Sequence, residues 1–125
     1  MGCAACIAGI NEYERLGVPR NVKKLSKVLA ELLEKLAKKH KSIGEVRYIG
    51  LFAQVELVKS RKTKEPFSVP EMGKVMGMLK AAGYASYNNE NGVMLAPPLI
   101  ISEQELREGV SILDTVLSEV DATML

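Results

Sequence analysis

Cys3 and Cys6, His40, and the run Lys59, Arg61, Lys62 and Lys64 are the side chains whose types and spacing could do chemistry. The cysteines have the C-x-x-C spacing of a redox pair or of half a zinc site. A redox pair of this kind opens a helix after a strand; here the pair stands at the very start of the sequence. Zinc would need two further ligands, and His40, the single histidine, lies beyond a long helical segment. The pair therefore reads as two small residues buried in a helix. His40 sits among Lys38, Lys39 and Lys41. Cationic residues suit a helix C-terminus, and no acid or nucleophile stands near in sequence, so His40 reads as a solvated helix end and not as a catalytic base. The basic run could touch phosphate. Glu56 and Glu65 flank it and no aromatic residue interrupts it, so it reads as a solvated loop. No phosphate-cradling glycine loop, Ser/His/Asp pattern or H-E-x-x-H occurs.

The bulk numbers agree with this sparse inventory. The chain has 125 residues, 47% apolar and 26% charged, with a net charge of +2. That is the composition of one ordinary globular domain. The charge is too small to argue for nucleic acid or a membrane surface. No Trp, two Phe and four Tyr are too few for a stacking platform for single strands. No apolar run approaches the ~20 residues of a membrane span, and no basic leader precedes an apolar stretch. Two cysteines make no disulfide framework. A cytoplasmic protein is expected.

The elements that must position these residues follow from periodicity. Gly2 to Gly17 is helical by its alanine content and ends at Gly17 as a left-handed C-terminal cap. Cys3 to Ile10 has no polar face, the mark of a buried helix. Pro19 breaks the chain and Asn21 caps a second helix. Val22, Leu25, Leu29, Leu32 and Leu36 form its apolar stripe, and it runs to about Lys41. Glu34 and Lys38 are spaced to pair on its outer side. Leu51, Ala53, Val55 and Leu57 alternate with Phe52, Gln54 and Glu56, which predicts a half-buried strand over 50–58. Val46 to Ile49 is a short preceding strand, with Gly50 as a bend or bulge. Pro70 opens a third helix that ends at Gly83 and packs through Val75, Met76 and Leu79. Tyr84–Tyr87 and Gly92–Ala96 make a hairpin through the asparagine-rich turn. Pro97 and Pro98 cannot donate to a ladder and stop the strand. Ser102 and Glu105 form a capping box. The helix they open carries Leu106, Val110, Leu113, Leu117 and Val120 at spacings of four, three, four and three. The predicted fold is α+β: a small antiparallel or mixed sheet of three to four strands covered by helices.

Three stretches in register carry a resemblance. Ile43 to Phe67 resembles the small-domain strand of the class III pyridoxal-phosphate aminotransferases, which often read V-R-G-x-G-L-x-x-x-V-E-L-V before a basic connector. Gly92 to Leu106 is similar to that family's late strand, proline pair and final capped helix. Met1 to Gly17 resembles its helix after a His-Pro. The resemblance covers essentially the whole chain. It implies that residues 1–17 are an interdomain helix and that residues 18–125 are the C-terminal small domain of an aminotransferase.

On this resemblance the parent transfers an amino group from an amine or amino acid to a keto acid, with pyridoxal phosphate as electron sink. The catalytic lysine and the cofactor's phosphate cup would lie upstream of Met1, in the large domain that partners this one in a homodimeric enzyme. Lys59 and Lys74 fall where the family does not hold its cofactor, and Arg47 matches an arginine that is usually structural. The fragment would line the substrate cleft and be inactive alone, with no metal, nucleic acid or membrane. One family branch carries a carboxylate-binding arginine where this chain has Met94; another carries one at about Asn89. Neither Met nor Asn can form a bidentate fork. The alternative is a free-standing, non-catalytic binding or scaffold module derived from that domain.

Overall fold

The computed structural model describes residues 2–125. Gly17 is its first joint. With φ of 63° it follows α1 (Gly2–Arg15) and serves as N-cap of α2 (Val18–Lys39). A left-handed residue here is inexpensive only as glycine. Pro19 does not break the chain. It lies in the first turn of α2, where backbone N–H groups have no helical acceptor to lose. Asn21 is consequently inside the helix and caps nothing. Its amide donates to the carbonyls of Leu99 (2.9 Å) and Ile101 (3.0 Å), tying α2 to the proline connector. The helix ends at Lys39, and its buried stripe is Leu25, Leu29, Leu33 and Leu36, with Val22 and Leu32 at the margin. Glu34 accepts from Tyr48 Oη at 3.1 Å and not from Lys38.

β1 (Ile43–Ile49) and β2 (Phe52–Ser60) pair from Ile43 opposite Leu57 to Ile49 opposite Phe52. The bend expected at Gly50 is a two-residue turn with Leu51, and Gly50 takes φ of 59°. The polar connector holds a strand that sequence alone did not reveal, β3 (Glu65–Pro66), on β2. α3 (Val69–Ala81) starts in a capping box of Ser68 and Glu71, which with Lys59 holds the Glu71 carboxyl down at about 2. It buries Met72, Val75 and Leu79.

The predicted second hairpin exists with its strand shifted. β4 is Asn88–Asn89, not 84–87, and β5 is Gly92–Leu95. Glu90, not an asparagine, takes the left-handed turn position, at φ of 52°. α4 (Glu103–Thr123) begins at Ser102, whose hydroxyl accepts from the Glu105 N–H. It buries the whole expected stripe and Val116 besides.

The sheet has five strands, one more than expected, in the order β1-β2-β5-β4 with β3 also on β2, and every pairing is antiparallel. β3 and β5 share one edge of β2 in tandem: the Leu57 N–H donates to Asn91 O and the Leu57 carbonyl accepts from Phe67 N–H. α2, α3 and α4 cover one face. Leu29, Leu33, Val55, Leu57, Val75, Leu79, Leu113 and Leu117 are fully buried there. Burying each such side chain is worth about 1.5–3 kcal/mol. The α+β architecture is as predicted.

Candidate functional site

Strand period two sends alternate residues to opposite faces. Val46, Ala53, Val55, Val93 and Leu95 therefore face the helices. Arg47, Gln54, Met94 and Asn89 meet on the other, open face through the pairings Arg47 with Gln54, Gln54 with Met94, and Asn89 with Gly92. The two substrate positions implied by the resemblance thus share one face. Asn89 is exposed, on the edge strand; Met94 is 7% exposed, on an inner strand.

Arg47 is already engaged. Its guanidinium donates to Glu45 (2.6 Å), Glu56 (2.9 Å) and Gln54 Oε1 (3.3 Å). The bond to Glu56 raises its affinity for the proton further above the ordinary arginine value. A ligand carboxylate would have to displace two carboxylates to use it. The Gln54 side chain lies across Gly92, where a Cβ would overlap its amide. Gly92 is therefore a seat for Gln54, and Gln54 in turn supports Arg47. Sequence reading missed this pair. Its only signals were Gln54 at an outward position of an alternating strand and a glycine opposite it.

Two clefts flank Met94, and it is the residue they share. One, of about 240 Å³, lies on the open face beside Arg47, Ile49, Phe52 and Gln54. The other, of about 250 Å³, runs under the proline connector between Tyr84, Ser86, Pro97, Pro98 and Glu105. Burial pushes the Tyr84 hydroxyl up to about 12, so it is a hydrogen-bond donor at neutral pH and not a base.

The other sequence candidates stand apart from this face. Cys3 and Cys6 are exposed, not buried, because no residue of α1 is buried by the rest of the described chain. His40 is no solvated helix end: it is 1% exposed, between Asp114 and Asp121 of α4, acids far from it in sequence. Lys59 pairs with Glu71 (3.0 Å) and Glu65 (3.5 Å). Arg61 donates to the carbonyls of Ala37, His40 (2.5 Å) and Ile43 (2.8 Å), closing the C-terminus of α2. Lys62, Lys64 and Lys74 are exposed. Among the described residues no His/Cys/Asp/Glu group could hold a metal ion, and no helix is long and apolar enough to cross a membrane.

Residues 1–117 match the class-III aminotransferase family. Taurine–pyruvate aminotransferase of Bilophila wadsworthia is 36% identical over 129 residues, covering 96% of this chain and 28% of that protein. A probable 4-aminobutyrate aminotransferase of Bacillus subtilis is 30% identical, covering 94% and 27%. The crystal structure of taurine:2-oxoglutarate aminotransferase from Bifidobacterium kashiwanohense, in complex with PLP and glutamate, superposes with a TM-score of 0.92 at 34% identity, over 98% of this chain and 29% of that one. The chain thus spans little more than a quarter of the length of these relatives, and it belongs to the class-III aminotransferase family.

Proposed function

We propose that this chain is the C-terminal small domain of a pyridoxal-phosphate-dependent aminotransferase, with residues 1–17 as the helix between its domains. The whole enzyme moves an amino group from an amine or amino acid to a keto acid and works as a cytoplasmic homodimer. The observation that carries this reading is the pairing of near-complete coverage of this chain with coverage of 28% of the relative. What remains of the relative is long enough for a large domain.

The residues in hand do not fit the cofactor by themselves. None of the strand residues on the open face is a lysine, and the one guanidinium there is spoken for by Glu45 and Glu56. Lys64 reaches only the rim, beside those same carboxylates. The group that supplies the electron sink therefore belongs to the large domain. This chain contributes one wall of the substrate cleft through the open face, with Met94 and Asn89 at its anchor positions. Because neither can fork onto a carboxylate, the donor's carboxylate, if it has one, is held by the large domain.

Mixing the purified chain with pyridoxal phosphate, reducing with borohydride and digesting tests this. Scattered, substoichiometric labelling of surface lysines is expected. One stoichiometric pyridoxyl-lysine would overturn the assignment.

A further inference from the structure

Where α2 hands over to β1, a charged cluster is buried that the proposed function does not use. His40 Nδ1 lies 2.9 Å from Asp121 Oδ2, and Nε2 lies 2.6 Å from Asp114 Oδ1. Carboxylate oxygens only accept, so each ring nitrogen must donate, and both bonds together need a ring with two protons. A ring with one proton would leave a nitrogen lone pair against a carboxylate oxygen, away from water, where such mismatches cost most.

The surrounding groups agree. From α2, Lys39 Nζ lies 2.7 Å from both oxygens of Asp114. From the connection itself, the Ser42 N–H donates to Asp121 Oδ1 at 2.9 Å, and the Ser42 hydroxyl is buried beside that carboxylate without a well-aligned partner. From the segment after β2, Arg61 binds the carbonyls of Ala37, His40 and Ile43. With a doubly protonated ring, His40 and Lys39 balance Asp114 and Asp121; with one proton fewer the cluster holds an excess negative charge. Burial pushes both carboxyls up, but Lys39 and His40 on Asp114, and Ser42 and His40 on Asp121, together hold them below the usual range.

We propose that His40, Asp114 and Asp121 form a proton-operated clasp that locks the α2–β1 connection to α4 while the ring carries both protons. Acid opens it by protonating the carboxylates that receive the ring's two N–H groups. The acid arm has a definite sign. Carboxyls held low in the folded state stabilise it fully above their unfolded values, and that contribution is lost as pH falls through the folded ones. The clasp fixes the chain just before Ile43, the first residue of β1, so it sets the start of the strand that carries Arg47.

His40 is the only histidine, so its ring resonances are unambiguous. In the full chain labelled with ¹⁵N-histidine, long-range ¹H–¹⁵N spectra at neutral pH should show two proton-bearing ring nitrogens. One bare nitrogen would overturn the proposal. On lowering the pH, protonation of the carboxylates should coincide with a fall in the protection factor of the Ser42 amide, its exchange rate taken relative to the intrinsic rate at each pH; an unchanged protection factor would equally overturn it. Asp121→Asn should abolish the acid-dependent loss of Ser42 protection, and an unchanged pH profile would count against the clasp. If that variant does not fold, the wild-type spectrum and its pH series decide alone.

Discussion

On the helix side of the sheet, Val55, Leu57 and Val93 are 0% exposed and Leu95 is 4% exposed. On the other side the same sheet presents Arg47, Gln54 and Asn89 beside Ile49, 78% exposed, and Phe52, 49% exposed. One face is completed by the chain's own helices. The other mixes a braced guanidinium with bare apolar side chains, a combination suited neither to a core nor to plain contact with water. Strand alternation alone sorts residues between the faces. What differs is whether a partner layer is supplied by this chain.

Substitutions should separate the two. Leu57→Ala, on the covered face, should cost about 2–5 kcal/mol in urea unfolding; a loss below that range would mean the helices close over the gap. On the open face, Asn89→Arg should barely move stability, whereas Met94→Arg, at a position only 7% exposed, should lower it by about 1–3 kcal/mol or more. In the full-length enzyme either should shift kcat/KM toward an amino acid over its decarboxylated amine, by about 1.5–3 kcal/mol for a charge-assisted bond. An unchanged ratio for both would remove these residues from the substrate wall. Gly92→Ala should cost about 1 kcal/mol by unseating Gln54. In a Gln54→Ala background that cost should vanish, and a persistent cost would put the strain in the backbone.

The smallest stability effect belongs to α1. Ile7 and Ile10 are each 61% exposed, so changing both to Glu should alter folding stability by less than about 0.5 kcal/mol. Their effect should appear in sedimentation equilibrium. Burying even ~300 Å² of this helix is worth about 7 kcal/mol at ~25 cal/mol per Å², against association costs of similar size. A weak dimer is expected from the wild-type chain and none from the double variant. Equal behaviour of the two would show that α1 is not the sticky surface.

How much of this was legible depended on how local the cause is. The stripe and capping box of α4 are nearest-neighbour patterns, and all five predicted stripe positions, Leu106, Val110, Leu113, Leu117 and Val120, are buried. The alternation in β2 is equally local and held. His40 was misread because its acids lie 74 and 81 residues away, and nothing in a lysine-rich neighbourhood announces them. Arg61 was misread for the same reason: its acceptors are backbone carbonyls of another element. β3 is two residues long, too short for periodicity to register. Met94 and Asn89 came from resemblance, and only the register of β5 against β2 and β4 places them on one face.

The position of β5 between β2 and β4 also sets an order of events during synthesis. The β1–β2 hairpin leaves the ribosome as a unit, but the opposite edge of β2 waits through all of α3 for its main partner. In that interval only the short β3 can protect one end of the edge. The unprotected part, Ala53 to Glu56, carries alternating apolar side chains and unpaired backbone groups, a template for pairing with another nascent copy. Slow translation through 67–91 would therefore lengthen the period of greatest aggregation risk, and rapid translation there would favour soluble yield.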